Sequence, residues 1–131
     1  MKEFYLQRYL NAQESGGIYD NMSTYETALQ ESREGHKRTH WMWYVFPQMK
    51  GLGHSQLSEF YGINGREEAY AYIEHPILRQ RLIEATEATL SHNAYSLFGA
   101  DVIKFRACML LFASVSDIPI FKEVVNKYKW K

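Results

Sequence analysis

DVIKFRACMLLFA, residues 101–113, decides the fold. Its apolar side chains fall on nearly every side of a helical projection. That pattern predicts a helix buried among other helices, not one lying on a surface. Three charges, Asp101, Lys104 and Arg106, interrupt its first half. A buried charge without a partner is costly. Asp101 and Lys104 stand three apart, on one helix face, and are expected to pair there. Asp101 also gains from the helix dipole at the helix start. The competing expectation makes Lys104 a ligand-facing cation on a rigid element.

The segments on either side supply the partners for such a helix. Phe4, Leu6, Tyr9, Leu10 and Gln13 predict a first amphipathic helix that ends at Gly16-Gly17. Ser23-Thr24-Tyr25-Glu26 reads as a capping box. The helix it opens carries Tyr25, Ala28, Leu29 and Ser32 inward and closes at Gly35. Ser55 caps a short helix reaching Tyr61. Asn64-Gly65-Arg66-Glu67 opens another through Ala69, Tyr70 and Ile73. Pro76 fits the first position of a further helix bearing Leu78, Leu82, Thr86 and Thr89-Leu90. Ile118 to Tyr128 closes the series, with Ile120-Phe121, Val124-Val125 and Tyr128 inward. Glu67, Glu68, Glu74, Glu84 and Glu87 read as solvated. No alternating stretch is long enough to argue for a sheet. The expectation is an all-α protein, one compact multi-helix domain over residues 1–131 around a central buried helix at 101–113. A chain of 131 residues suits one domain, and an aromatic fraction of 15% gives it a large core for that length.

Composition removes several functions. Fifteen basic and fifteen acidic side chains cancel, so no global field draws nucleic acid, whose binding is phosphate-dominated. Cys108 is the only cysteine, which rules out an internal disulfide and a cysteine-rich zinc site. The longest uncharged apolar runs, 41–46 and 107–113, fall far short of the roughly 20 residues of a membrane-spanning helix. The start, Met1 to Tyr5, lacks the apolar core of a secretion signal. A cytoplasmic protein with no membrane partner is expected; oligomeric state is left open.

A second stretch carries the functional expectation: HKRTHWMWYVFPQMKGLGHS, residues 36–55. No Asp or Glu occurs between Glu34 and Glu59, so a neutral chain contains one basic segment. Trp41, Trp43 and Phe46 are expected in the core. Backbone amides in a glycine-containing turn, beside cations and aromatic rings, suit a small anionic, nucleotide-like ligand. The expected ligand-binding set is Lys37, His40, Gln48, Gly51, Gly53, Ser55 and Lys104. His36 and His40 are four apart, but two histidines with no local carboxylate make no metal site. No metal and no cofactor is expected; His40 should fix the start of the aromatic helix through a hydrogen bond. Gly53-His54-Ser55-Gln56-Leu57 lacks the last glycine of a nucleophile elbow, and no strand precedes it, so Ser55 reads as a cap.

The block Gly35 to Gln48, with His40-Trp41-Met42-Trp43 and Phe46-Pro47-Gln48, followed by Gly51-Leu52-Gly53 and Ser55, resembles the domain of unknown function 1810 family of bacterial proteins. The likeness continues through Tyr61-Gly62-Ile63, Glu68-Ala69, Tyr72, His75-Pro76, Leu78, Leu82, Phe98-Gly99, Asp101, Lys104 and Leu111-Phe112. It implies a small, mainly helical fold and brings no established activity. Members of the family usually carry hydroxyl residues where this chain has Ala107-Cys108 and Leu110. A looser similarity joins Pro76-Ile77-Leu78, Leu82 and Thr86 to the NADAR superfamily, linked to N-glycosidic bonds of ADP-ribose and nucleotide derivatives. Such chemistry needs a carboxylate, for which Asp101 is the candidate catalytic residue. Two alternatives stand beside a ligand-binding protein: a non-catalytic protein-interaction module, and a structural domain whose aromatic motif is core alone.

Overall fold

The computed structural model describes residues 4–131; Met1 to Glu3, part of the start read above for a secretion signal, lie outside the described residues. The described residues are helical, with two isolated parallel bridges, Met22 with His40 and Met49 with Ile63, and no strand. The helices are α1 (Gln7–Ser15), α2 (Tyr25–Glu34), α3 (Met42–Val45), α4 (Gln56–Tyr61) and α5 (Gly65–Glu74). They continue as α6 (Pro76–Thr89), α7 (Ala94–Phe98), α8 (Val102–Val115) and α9 (Pro119–Tyr128), with a 3-10 turn over Gly99–Asp101 before α8. No helix among the described residues is long and apolar enough to cross a membrane.

α8 is the central element. It packs against α9, α5 and α7, and it buries Phe105, Cys108, Met109, Leu111, Phe112 and Val115. Its remaining stripe, Ile103, Arg106, Ala107 and Leu110, follows helical spacing and faces a surface cleft. An almost uniformly apolar helix thus has three packed sides and one open one.

Local signals act mostly where expected. Gly16 and Gly35 end α1 and α2 at φ +98 and +85, conformations that cost glycine nothing. Ser55 accepts the Ser58 amide at 3.1 Å, and Pro76 opens α6 with His75 accepting the Leu78 amide at 3.3 Å. The Ser23 capping box does not form. Thr24, one residue later, is the N-cap, and Ser23 instead lies 2.8 Å from the Thr39 hydroxyl. Asn64 makes no side-chain cap; its amide donates to Glu68 at 2.8 Å. The aromatic helix shrinks to the single turn of α3, because Pro47 pushes Phe46 out of helical geometry (φ −123, ψ 70). α7, with Asn93 accepting from Tyr95 and Ser96, is a further helix that no apolar period announced.

Two carboxylates read as polar surface, or passed over, are interior. Glu68 is buried, opposite the expectation of a solvated face. It holds Arg8 through two bonds, at 2.9 and 3.0 Å, while Arg8 also donates to main-chain carbonyls of Tyr5, Phe60 and Gly62. Glu31, on the inner face of α2, accepts the Arg38 amide at 2.8 Å, the Thr39 amide at 3.0 Å and the Trp41 indole N–H at 2.9 Å on one oxygen. Its other oxygen takes the Thr39 hydroxyl at 2.8 Å.

Burial works to raise both carboxyls, but the bonds from Trp41, Arg38 and Thr39 on Glu31, and from Arg8 and Asn64 on Glu68, outweigh it. Both therefore sit below their ordinary value of 4.5. A carboxyl lowered in the fold contributes stability that is present above 4.5 and lost as pH falls through the folded value. Denaturant unfolding at stepped pH should show stability dropping below that point. Glu68→Gln should cost about 3–5 kcal/mol at neutral pH by stranding Arg8, and should flatten the acid limb. An unchanged acid limb in both Glu68→Gln and Glu31→Gln would contradict this account.

Candidate functional site

A cleft of about 400 Å³ opens between residues 48–58 and the free stripe of α8. Gln48, Leu52, Gly53, His54, Ser55 and Ser58 form one wall; Ile103, Lys104, Arg106, Ala107 and Leu110 form the other; Trp43 completes it. The first wall is a closed loop. Lys50 donates to the Ile63 carbonyl, and Ile63 donates to the Gln48 carbonyl, both at 2.9 Å. Gly62 belongs to this closure by close approach. A Cβ there would lie 2.4 Å from the Ser58 carbonyl oxygen and 2.7 Å from Lys50 Cα.

The structure brings four of the expected ligand-binding residues, Gln48, Gly53, Ser55 and Lys104, onto the cleft. Lys37 and Asp101 are not among its lining residues, and Asp101 joins Lys37 to Lys104. Asp101 gives one oxygen to Lys37 Nζ and the other to Lys104 Nζ, each at 3.0 Å. Burial works to raise this carboxyl, but hydrogen bonds and charge from the two lysines hold it below the usual carboxylate range. His40 is away from the cleft with its imidazole exposed. It does help fix the start of the aromatic turn, through its main-chain carbonyl, which accepts from the Ser23 amide at 3.0 Å and the Tyr44 hydroxyl at 3.1 Å. Gly51 is exposed, with φ +98, and is not among the residues lining the cleft. Among the described residues no three His, Cys, Asp or Glu side chains gather where a metal ion could sit.

The basic segment does not form a basic patch. Lys37 is paired with Asp101 at 3.0 Å, Arg38 with Glu34 at 2.6 Å and Lys50 with Glu59 at 3.6 Å. Each acid comes from outside the segment. The cationic wall of the cleft comes instead from Lys104 and Arg106 of α8, and no Asp or Glu among the described residues lines it. Arg106, which sequence reasoning placed only among the charges interrupting the helix, is exposed; one N–H donates to the main-chain oxygen of Lys131 at 3.2 Å.

The three tryptophans part company. Trp41 is buried and its indole N–H is bonded to Glu31; that of Trp130 donates to the Tyr95 hydroxyl at 3.1 Å. Trp43, expected in the core, is only half-buried, with Lys104 Nζ 4.7 Å from its ring centroid. Its indole N–H has no partner among the described residues, and neither has the side-chain amide of Gln48. Ser55, by contrast, spends its hydroxyl on the α4 cap, so it enters the cleft as a structural residue. Cys108, beside the cleft-lining Ala107, points into the core, where burial pushes its thiol well up and keeps it protonated.

The chain belongs to the DUF1810 family, described as protein of unknown function, whose model matches residues 3–130. It is similar to the conserved hypothetical protein Rv1873 from Mycobacterium tuberculosis, known from a crystal structure: 38% identity, TM-score 0.84, over 95% of this chain and 86% of that one. No curated protein matches the chain. Ala107 and Leu110, two of the three positions at which the resemblance implied hydroxyl residues, line the cleft.

Trp41 and Trp43 should separate in stability. Trp41→Ala should cost about 3–5 kcal/mol, as for a large aromatic in a packed core. Trp43→Ala should cost distinctly less. Equal losses in urea unfolding would place Trp43 in the core after all.

Proposed function

We propose that the protein binds a small anionic, nucleotide-like ligand in the cleft between residues 48–58 and α8. The observation that carries this reading is the set of unspent donors. Among the described residues the Trp43 indole N–H and the Gln48 side-chain amide have no partner, and Trp43 and Gln48 line the cleft with Lys104 and Arg106 and with no described Asp or Glu. These donors are open to solvent rather than stranded, and a ligand rich in acceptors can replace water on them. The apolar remainder, Leu52, Ile103, Ala107 and Leu110, suits a flat or hydrophobic portion of the same molecule. Ile103 is 73% exposed, unusual for an isoleucine in the central helix, and a bound ring would cover it.

Binding without turnover fits these groups better than ADP-ribose-type N-glycosidic chemistry. Cleavage of a glycosidic bond calls for a carboxylate at the reacting carbon. The candidate, Asp101, has each oxygen engaged by a lysine and is not among the residues lining the cleft. We therefore assign Asp101 to positioning rather than catalysis.

A second reading, a protein-interaction module, has one feature in its favour. Ile18, Tyr19 and Phe60 are exposed together on a groove that shares His54 with the cleft.

A thermal-shift panel of nucleotides, ADP-ribose, NAD and sugar phosphates tests the first reading. A ligand at about a hundred times its dissociation constant adds about 2.7 kcal/mol to stability, enough to raise the melting midpoint by several degrees. The shift should vanish in Lys104→Ala and Arg106→Ala, both folded. A flat panel, or a shift that survives both substitutions, would overturn the cleft as the site.

A further inference from the structure

The charges behind the cleft narrow the ligand, on the premise that the cleft is the binding site. The two lysines on Asp101 are not equivalent. Lys37 is enclosed, with its side chain 8% exposed. Its ammonium also donates to the Thr39 carbonyl at 2.6 Å and lies 5.2 Å from the Trp41 ring centroid. Lys104 has a side chain 25% exposed, lines the cleft, and is held by one Asp101 oxygen and the face of Trp43. A partly exposed ion pair of this kind is weak and exchanges partners readily. If Lys104 turns to a ligand, Asp101 keeps Lys37 as its counter-charge and is not stranded. The exchange leaves a neutral Lys37–Asp101 pair and two cations on the cleft, Lys104 and Arg106, the latter donating to the Lys131 main-chain oxygen at 3.2 Å, with no side-chain carboxylate of the described residues lining it. His54, which also lines the cleft, is exposed.

We infer that the cleft takes a phosphate monoester, whose two negative charges match Lys104 and Arg106, and that Lys104 exchanges Asp101 for this phosphate on binding. A phosphate monoester carries about −1.5 to −2 charge at pH 7 and three acceptor oxygens. A diester or a carboxylate brings one charge and leaves one cation of the pair unmatched. Asp101 is then a resident counter-ion that competes with the ligand for Lys104.

Titration calorimetry with adenosine 5′-monophosphate, its methyl ester and ribose 5-phosphate tests this on the full chain. The methyl ester is a monoanion of nearly the same shape and should bind at least about tenfold more weakly, the worth of one charge-assisted hydrogen bond. Asp101→Asn, which removes the competitor, should tighten adenosine 5′-monophosphate several-fold, whereas a merely structural role predicts unchanged or weaker binding. Circular dichroism and a melting curve establish that the variant is folded. Should Asp101→Asn unfold, Lys37→Met provides the second route: it frees Asp101 to hold Lys104 alone and should weaken binding. Equal affinity for monoester and methyl ester overturns the two-charge match. Weaker binding by folded Asp101→Asn overturns the exchange. Ribose 5-phosphate binding as tightly as the nucleotide keeps the phosphate site and overturns the place for a ring. No binding of any probe overturns the phosphate-monoester match, and together with a flat thermal-shift panel it overturns the cleft reading on which the inference rests.

Discussion

The carboxylate of Glu31 gathers four donors from residues 38–41, and much of the molecule hangs on that knot. It carries the chain from the end of α2 into the core without a helix to satisfy the backbone. It orients Trp41, whose ring meets Phe46 and Phe98 at centroid distances of 6.1 and 6.2 Å. Those rings meet Phe105 of α8 at 5.0 and 4.6 Å, so one acid on α2 sets the packing of the central helix. Trp43, two residues beyond Trp41, is thereby turned to the cleft. Burial of an ionised carboxylate is tolerable here because donors surround it.

The architecture was legible because it rests on periodicity and punctuation. The apolar run at 101–113, the glycines at 16 and 35, Ser55 and Pro76 each act locally, and local physics can be read along a chain. α7 was not legible for the same reason. Five residues are too few to show a period, and its stability comes from the Asn93 cap and packing against α8.

Charge was the part that sequence order misrepresents. Glu31 and Glu68 look like ordinary surface acids, since nothing along the chain shows that Trp41 or Arg8 will meet them. The run of cations from Lys37 to Lys50 looks like a patch, yet Asp101 and Glu59 come from other elements to neutralise its ends. A cationic surface does exist, but Arg106 supplies half of it, from the helix that looked most like pure core. Gln48, Gly53 and Lys104 could be picked out because they lie in or beside unusual local patterns. Trp43 could not, because a tryptophan in an apolar run gives no sign of which neighbour the fold will turn outward.

Gly62 has a reach beyond its size. It never touches the cleft, and its backbone conformation (φ −61, ψ 139) is open to any residue. What it provides is clearance, since main-chain atoms of Ser58 and Lys50 occupy the space a side chain would need. The loop bearing Gln48, Gly53 and His54 is therefore calibrated by a missing methyl group. A family member with alanine at this position could keep every lining residue and still present them at a different spacing. Judging which relatives share a ligand by comparing lining residues alone would miss that change.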